Sequence, residues 1–271
     1  MQQSFDTPHP TDLLVEVGAG DIQLEAVDAD TTEVEVTGQG AGDTTVEQRG
    51  RRIVVTGPRG GLFGRSHSVH VQVRLPLGST VETRLGSADL VATGTLGEVT
   101  LRSGSGSVRL ECVEGDAVVK SGSGQLTVAA VTGDLRISTG SGDLELGTLG
   151  GRADATSGSG RVRIGTVAGE LTVKTGSGDL QVQESGAGAT LRTGSGAVVV
   201  GRVHGGQLLA KSGSGDVRVG VPAGVPVWTD ISTGSGELRS DLQGTGEPRE
   251  GQDFVELRVR TGSGSVRLEQ V

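Results

Sequence analysis

Serine, aspartate and glycine recur in this chain at a spacing that could do chemistry, and the spacing decides which kind. Gly-Ser-Gly is written nine times, with its first glycine at Gly104, Gly122, Gly140, Gly158, Gly176, Gly194, Gly213, Gly234 and Gly262. Five steps of 18 residues are followed by steps of 19, 21 and 28. A serine nucleophile needs one singular serine beside a histidine that a carboxylate orients. The serines here are identical from rung to rung (Ser105, Ser123, Ser141, Ser159, Ser177, Ser195), and His204 lies about half a rung past the last of them. A residue repeated in that way serves the turn. Calcium-binding β-rolls need a nine-residue repeat that surrounds each ion with carboxylates and carbonyls. Aspartate follows the corner at Asp21, Asp89, Asp143, Asp179 and Asp216, but Ser107, Gln125, Arg161 and Ala197 replace it elsewhere. The expected role of these aspartates is to bond nearby amides in the turn.

Other chemistries find less support. His9, His67, His70 and His204 are scattered, and His67 and His70 face opposite sides if they share a strand; no zinc site is expected. Gly-Ser-Gly imitates a phosphate loop, but no copy ends in Lys-Ser/Thr or opens a helix. Cys112 is alone, so there is no disulfide framework, and it reads as a half-buried structural thiol. Glycoside hydrolysis needs two carboxylates about 5–9.5 Å apart in a groove. Glu145, Asp154, Glu170 and Asp179 point outward, and nothing in the sequence pairs them in a cleft. The expectation is a protein that is not an enzyme, with no cofactor and no metal. One apolar pair, Leu62-Phe63, sits on an expected hairpin tip between Arg59 and Arg65. It is the candidate contact to a partner or a membrane surface, or else a plug for the end of the fold.

The elements that would position these residues follow from the same repeat. Counting the first glycine as 0, position 4 reads Val108, Leu126, Leu144, Val162, Leu180, Val198, and position 6 reads Leu110, Val128, Leu146, Ile164, Val182, Val200. Positions 13 and 15 are apolar too, for example Leu135 and Ile137, and the residues between are polar. Period-2 alternation gives two short half-buried strands per rung. Position 9 (Val113, Val131, Leu149, Val167) breaks the phase, which predicts a corner between positions 6 and 9. Position 17 is always Ser or Thr, from Ser103 to Thr193, which predicts a hydroxyl ladder beside the glycines. Glycine at 0 and 2 is expected to allow φ > 0 and to let backbones stack without Cβ clashes. The fold class is therefore all-β: a β-solenoid, β-helix-like, built from rungs of 18 residues with Gly-Ser-Gly corners. Three Phe, one Trp and no Tyr agree with a thin aliphatic core.

Residues 1–85 read as an N-terminal rung with inserted strands that cap the solenoid, and residues 86–271 as the solenoid repeats, with a polar loop excursion at 244–253. The cap is needed because an open end exposes unpaired backbone groups. At the other end, the final strand edge is expected either to lie under the 244–253 excursion or to pair with another copy. A net charge of −9 gives no electrostatic case for nucleic acid. No stretch is long and apolar enough for a transmembrane segment. The start lacks a basic region followed by an apolar one, so no signal peptide is read and a cytoplasmic location is expected.

The segments T-G-S-G-D-L-E-L (139–146) and S-G-S-G-D-V-R-V (212–219) resemble the bacterial β-strand-repeat family known as domain of unknown function 4097, which carries the label "putative adhesin". Phe5-Asp6-Thr7-Pro8, V-E-V-G-A-G-D-I (15–22), V-R-L-P-L-G-S (73–79) and V-P-V-W-T-D-I-S-T (225–233) extend the resemblance to both ends and are similar to its actinobacterial branch. The resemblance implies a solenoid-like β fold and no established activity. The functional expectation is a non-catalytic scaffold or protein-interaction rod, with a protein partner or self-association through the ends or faces. A cell-surface or envelope adhesin is the alternative, and a polysaccharide-acting enzyme is a more distant one.

Overall fold

The computed structural model describes residues 1–58, 67–243 and 254–271. Leu62-Phe63 and the 244–253 excursion lie outside the described residues. The chain folds as an all-β solenoid of two many-stranded, mainly parallel sheets, and it divides into two compact units. Unit 1 holds Met1–Gly133 and Ile137–Gly142; unit 2 holds Asp134–Arg136 and Asp143–Val271. No helix among the described residues is long and apolar enough to cross a membrane.

Within unit 2 one sheet stacks Leu144–Leu149, Val162–Val167, Leu180–Ser185, Val198–Val203, Val217–Val221, Val266–Gln270 and Leu238–Ser240 in that spatial order. The other stacks Ala153–Ser157, Leu171–Ser177, Ala189–Ser195, Gly206–Ser214, Val255–Ser263 and Val227–Ser235. The aliphatic columns expected from the repeat are present. Leu144, Val162, Leu180 and Val198 are register partners in turn, as are Leu171, Ala189 and Leu208 on the facing sheet. All are buried. Each full-sized aliphatic side chain so removed from water contributes about 1.5–3 kcal/mol. A single rung has nothing to bury these side chains against, so the stack is the unit of stability.

Unit 1 uses the same columns, such as Val108–Leu126 and Leu110–Val128. The predicted corner between positions 6 and 9 is absorbed inside a strand. Val108–Val113 runs unbroken, with Val108, Leu110 and Val113 buried, and its register against Asp89–Leu96 shifts between Leu110 and Cys112. A bulge re-aims the side chain without ending the pairing. Towards the N-terminus Arg52–Thr56 lies outside Asp12–Val17, and Val69–Pro76 outside Gly20–Val27. Antiparallel strands then close both sheets: Thr31–Thr37 and Gln2–Asp6 on one, Thr45–Arg49 on the other. Polar edge strands of this kind discourage pairing with another chain.

Two expectations need correction. The last Gly-Ser-Gly rung is not the outermost. Val255–Ser263 is slotted between Gly206–Ser214 and Val227–Ser235, and Val266–Gln270 lies between Val217–Val221 and Leu238–Ser240. The edge therefore belongs to the penultimate rung in chain order. The first glycine of each triplet is also not a φ > 0 position. Of the triplet glycines among the described residues, only Gly124 and Gly215, both third members, have positive φ. The physical need is room: a Cβ on Gly122 would lie 2.5 Å from the Gly104 carbonyl oxygen, and one on Gly213 would lie 2.5 Å from that of Gly194.

Candidate functional site

A depression in unit 1 forms where four parallel strands end together in glycine corners. Asp12–Val17 pairs with Arg52–Thr56 on one side and Thr80–Leu85 on the other, and Thr80–Leu85 pairs with Val99–Ser103. The register sets Thr56, Glu16, Arg84 and Arg102 side by side on the outer face. With Pro58 and the corner glycines they border an open cleft of about 600 Å³. Alternation along each strand turns these polar side chains outward, while Val15, Val17 and Leu101 fill the core beneath.

The charges in the cleft are ordered. Arg84 donates to Glu16 Oε1 at 2.6 Å and to Glu82 Oε1 at 2.9 Å, and Arg52 donates to Glu82 Oε2 at 2.8 Å. The hydrogen bond to Glu82, then the charges of Glu82 and Glu16, raise the Arg84 guanidinium above its ordinary pKa. Arg84 is thus a fixed cation already held by carboxylates. Arg102, next to it, is exposed and has no ion-pair partner among the described residues. Such a cleft can hold an anionic group by charge and hydrogen bonding. Unit 2 has a second depression, of about 370 Å³, where Arg218, Arg267 and Arg239 are register neighbours. Here each cation is neutralised: Arg267 by Glu269 at 2.7 Å, Arg239 by Glu237 at 2.6 Å, and Arg218 by Glu269 at 3.5 Å.

The residues weighed in the sequence find definite places. The aspartates after the corners stitch one rung to the next rather than closing their own turn. Asp143 Oδ1 accepts from Arg161 N at 2.8 Å, Asp179 from Ala197 N at 3.0 Å, and Asp216 from Ser265 N at 2.8 Å. Asp21 instead faces His70 Nδ1 at 2.9 Å. The position-17 hydroxyls are mostly buried and bond corner carbonyls; Thr193 donates to Gly178 O and Ser212 to Gly196 O, each at 3.0 Å. Ser157 and Thr175, in the same column, have no partner for their buried hydroxyls among the described residues. Cys112 is half-buried and free. Among the described residues no three His, Cys, Asp or Glu side chains converge as a metal cage. Position 16 escapes a reading that follows only apolar columns. Its signal is that from Arg84 onward every residue there is basic or hydroxylated, in a chain with a net charge of −9.

The family model described as Toastrack DUF4097 matches residues 11–269. Among solved structures, a "putative adhesin" from Parabacteroides merdae ATCC 43184 is 14% identical, with a TM-score of 0.52 over 99% of this chain and 95% of that one. A "putative lipid binding protein" from Parabacteroides distasonis ATCC 8503 is 16% identical, with a TM-score of 0.46 over 99% and 96%. Another "putative adhesin", from Bacteroides fragilis NCTC 9343, is 11% identical, with a TM-score of 0.45 over 99% and 96%. No curated protein matches the chain. At these identities the Parabacteroides merdae protein bears on the fold alone.

Proposed function

We propose that this chain, which belongs to the Toastrack DUF4097 family, is a non-catalytic β-solenoid that works as an interaction scaffold, with a second copy as its first partner. One observation carries this reading: among the described residues the outer edge of unit 2 has no further strand on it. Val227–Ser235 and Leu238–Ser240 each pair on one side only among the described residues. The residues that continue the core columns onto these strands are more exposed than those inside the stack. Leu238 is 53% exposed, Thr229 is exposed, and Val227 and Ile231 are only half-buried. An edge with free backbone donors and apolar side chains favours addition of another strand or a matching edge. In unit 1 the outermost strands are instead antiparallel and mostly polar.

Sedimentation velocity over a wide concentration range tests the reading. Self-association is expected for the native chain and is lost in Ile231→Lys/Leu238→Lys. A native chain that stays monomeric throughout would reject it. A cytoplasmic location goes with this proposal. The adhesin alternative shares the fold of the Parabacteroides merdae protein and requires export, so cell fractionation separates the two. Placement in the actinobacterial branch is proposed on the segments 5–8, 15–22, 73–79 and 225–233.

A further inference from the structure

We infer that the outer face of unit 2 carries a binding track for a linear acidic polysaccharide, built on Lys174, Arg192, Lys211 and Arg260. These four residues occupy repeat position 16 on successive strands and are direct register partners: Lys174 with Arg192, Arg192 with Lys211, and Lys211 with Arg260. Parallel strands bring such neighbours about 4.8 Å apart. Like charges set opposite each other across strands are destabilising. At several other places opposite signs stand directly across strands: Glu16–Arg84, Glu25–Arg74, Glu145–Arg163 and Glu184–Arg202 are all register partners and all ion pairs. In unit 2 the like-charged Arg218, Arg267 and Arg239 are each held by a carboxylate, Glu269 or Glu237.

The first three cations of the track have no such carboxylate among the described residues, a feature shared with Arg102 and Lys120 in unit 1. Lys174, Arg192 and Lys211 have no ion-pair partner among the described residues, and Arg260 meets only Asp230, at 3.6 Å. The neighbouring column reads Thr172, Thr190, Leu209 and Arg258 along the same strands, so no carboxylate stands beside the first three cations. On the other side are the exposed corner residues of each Gly-Ser-Gly, Ser177 and Ser195 among them. A row of unpaired cations flanked by hydroxyls, in a net-acidic chain, is complementary to a ligand that supplies negative charge at regular intervals and hydroxyls between.

The same surface argues for one ligand class. Single-stranded nucleic acid binds through successive aromatic stacking platforms as well as charge; Thr172, Thr190 and Leu209 provide none, and the exposed Trp228 on the adjoining edge strand has Arg258 over its ring at 5.7 Å. Peripheral membrane binding needs a continuous apolar face beneath the charges, and here Leu209 is the one apolar side chain in a neighbouring column of Thr172, Thr190 and Arg258. An acidic glycan needs neither. It would run across the strands, with carboxylate or sulfate groups on the cations and sugar hydroxyls against Thr172, Thr190 and the corner serines. The inference deepens the interaction reading above without depending on self-association.

The test is titration calorimetry of the full chain with polygalacturonate and dextran sulfate, with neutral dextran as the blank. Expected are binding to one or both polyanions, loss of that binding at high salt, and no binding to dextran. Lys174→Gln/Arg192→Gln/Lys211→Gln should weaken it about 30-fold or more at low salt, from three lost ion contacts of ordinary surface strength. The charge-matched Arg109→Gln/Arg163→Gln/Arg218→Gln on the other sheet should bind like the native chain. Circular dichroism confirms that both variants fold, and the salt dependence of the native chain stands as a test even if one does not. Failure of the native chain to bind either polyanion would overturn the inference, as would equal binding by the triple variant. Tighter binding of oligothymidylate or phosphatidylserine vesicles than of either glycan would overturn it too. A chain that self-associates but ignores both glycans would reject the track and leave the scaffold reading intact.

Discussion

At the scale of single residues, space and hydrogen bonding at the corners make separable predictions. Gly122→Ala puts a Cβ 2.5 Å from a backbone oxygen of the preceding rung, which cannot yield as a flexible side chain would. Stability should fall by about 1–3 kcal/mol in urea titration, in the range of overpacking. Gly42→Ala, with none of the described residues within 4 Å of the added carbon, should be neutral. The hydroxyl column gives a sharper contrast. Thr193 bonds Gly178 O at 3.0 Å, whereas the buried Thr175 hydroxyl has no partner among the described residues. Thr193→Val should cost about 0.5–1.5 kcal/mol and Thr175→Val should stabilise by about 1 kcal/mol, because removing an unpaired buried hydroxyl removes only its desolvation penalty. Equal losses from both substitutions would mean that the column works by shape alone.

At the scale of elements, the position of a strand in the stack matters more than its position in the chain. Leu257 is fully buried between Leu208 and Thr229, although it lies close to the C-terminus. Leu238, earlier in the chain, sits on the edge strand and is 53% exposed. Leu257→Ala should cost about 2–5 kcal/mol and Leu238→Ala less than about 0.5 kcal/mol, measured by urea unfolding. The columns that hold Leu257 were legible in the sequence, because inward residues recur at fixed offsets from each Gly-Ser-Gly and a one-residue slip would expose them all. Which rung lies beside which was not legible. Every rung offers the same aliphatic face and the same glycine corner, so the pattern is equally satisfied whether Val255–Ser263 sits outside Val227–Ser235 or inside it. The aspartates were legible as turn residues, but their bonds run to the next rung, and a one-dimensional reading has no next rung. The cation column was written in the sequence as Lys174, Arg192 and Lys211 at one offset. It acquires meaning only when the register shows those residues directly opposite each other with no carboxylate between.

At the scale of the whole molecule, a fold assembled from rungs that touch only their neighbours has no single centre, and its local stability should follow distance from a stack edge. Hydrogen exchange reads this directly. In unit 2, amides of Val162–Val167 and Leu180–Ser185, each paired on both sides, should exchange most slowly. Those of Val227–Ser235 and Leu238–Ser240, paired on one side only among the described residues, should exchange orders of magnitude faster. The decisive strand is Val266–Gln270. It comes last in chain order, yet it is held between Val217–Val221 and Leu238–Ser240. Its amides should therefore be better protected than those of Leu238–Ser240, more than twenty residues earlier. The reverse order would show that the last rung lies outermost, and the open edge on which the self-association proposal rests would then belong to different residues.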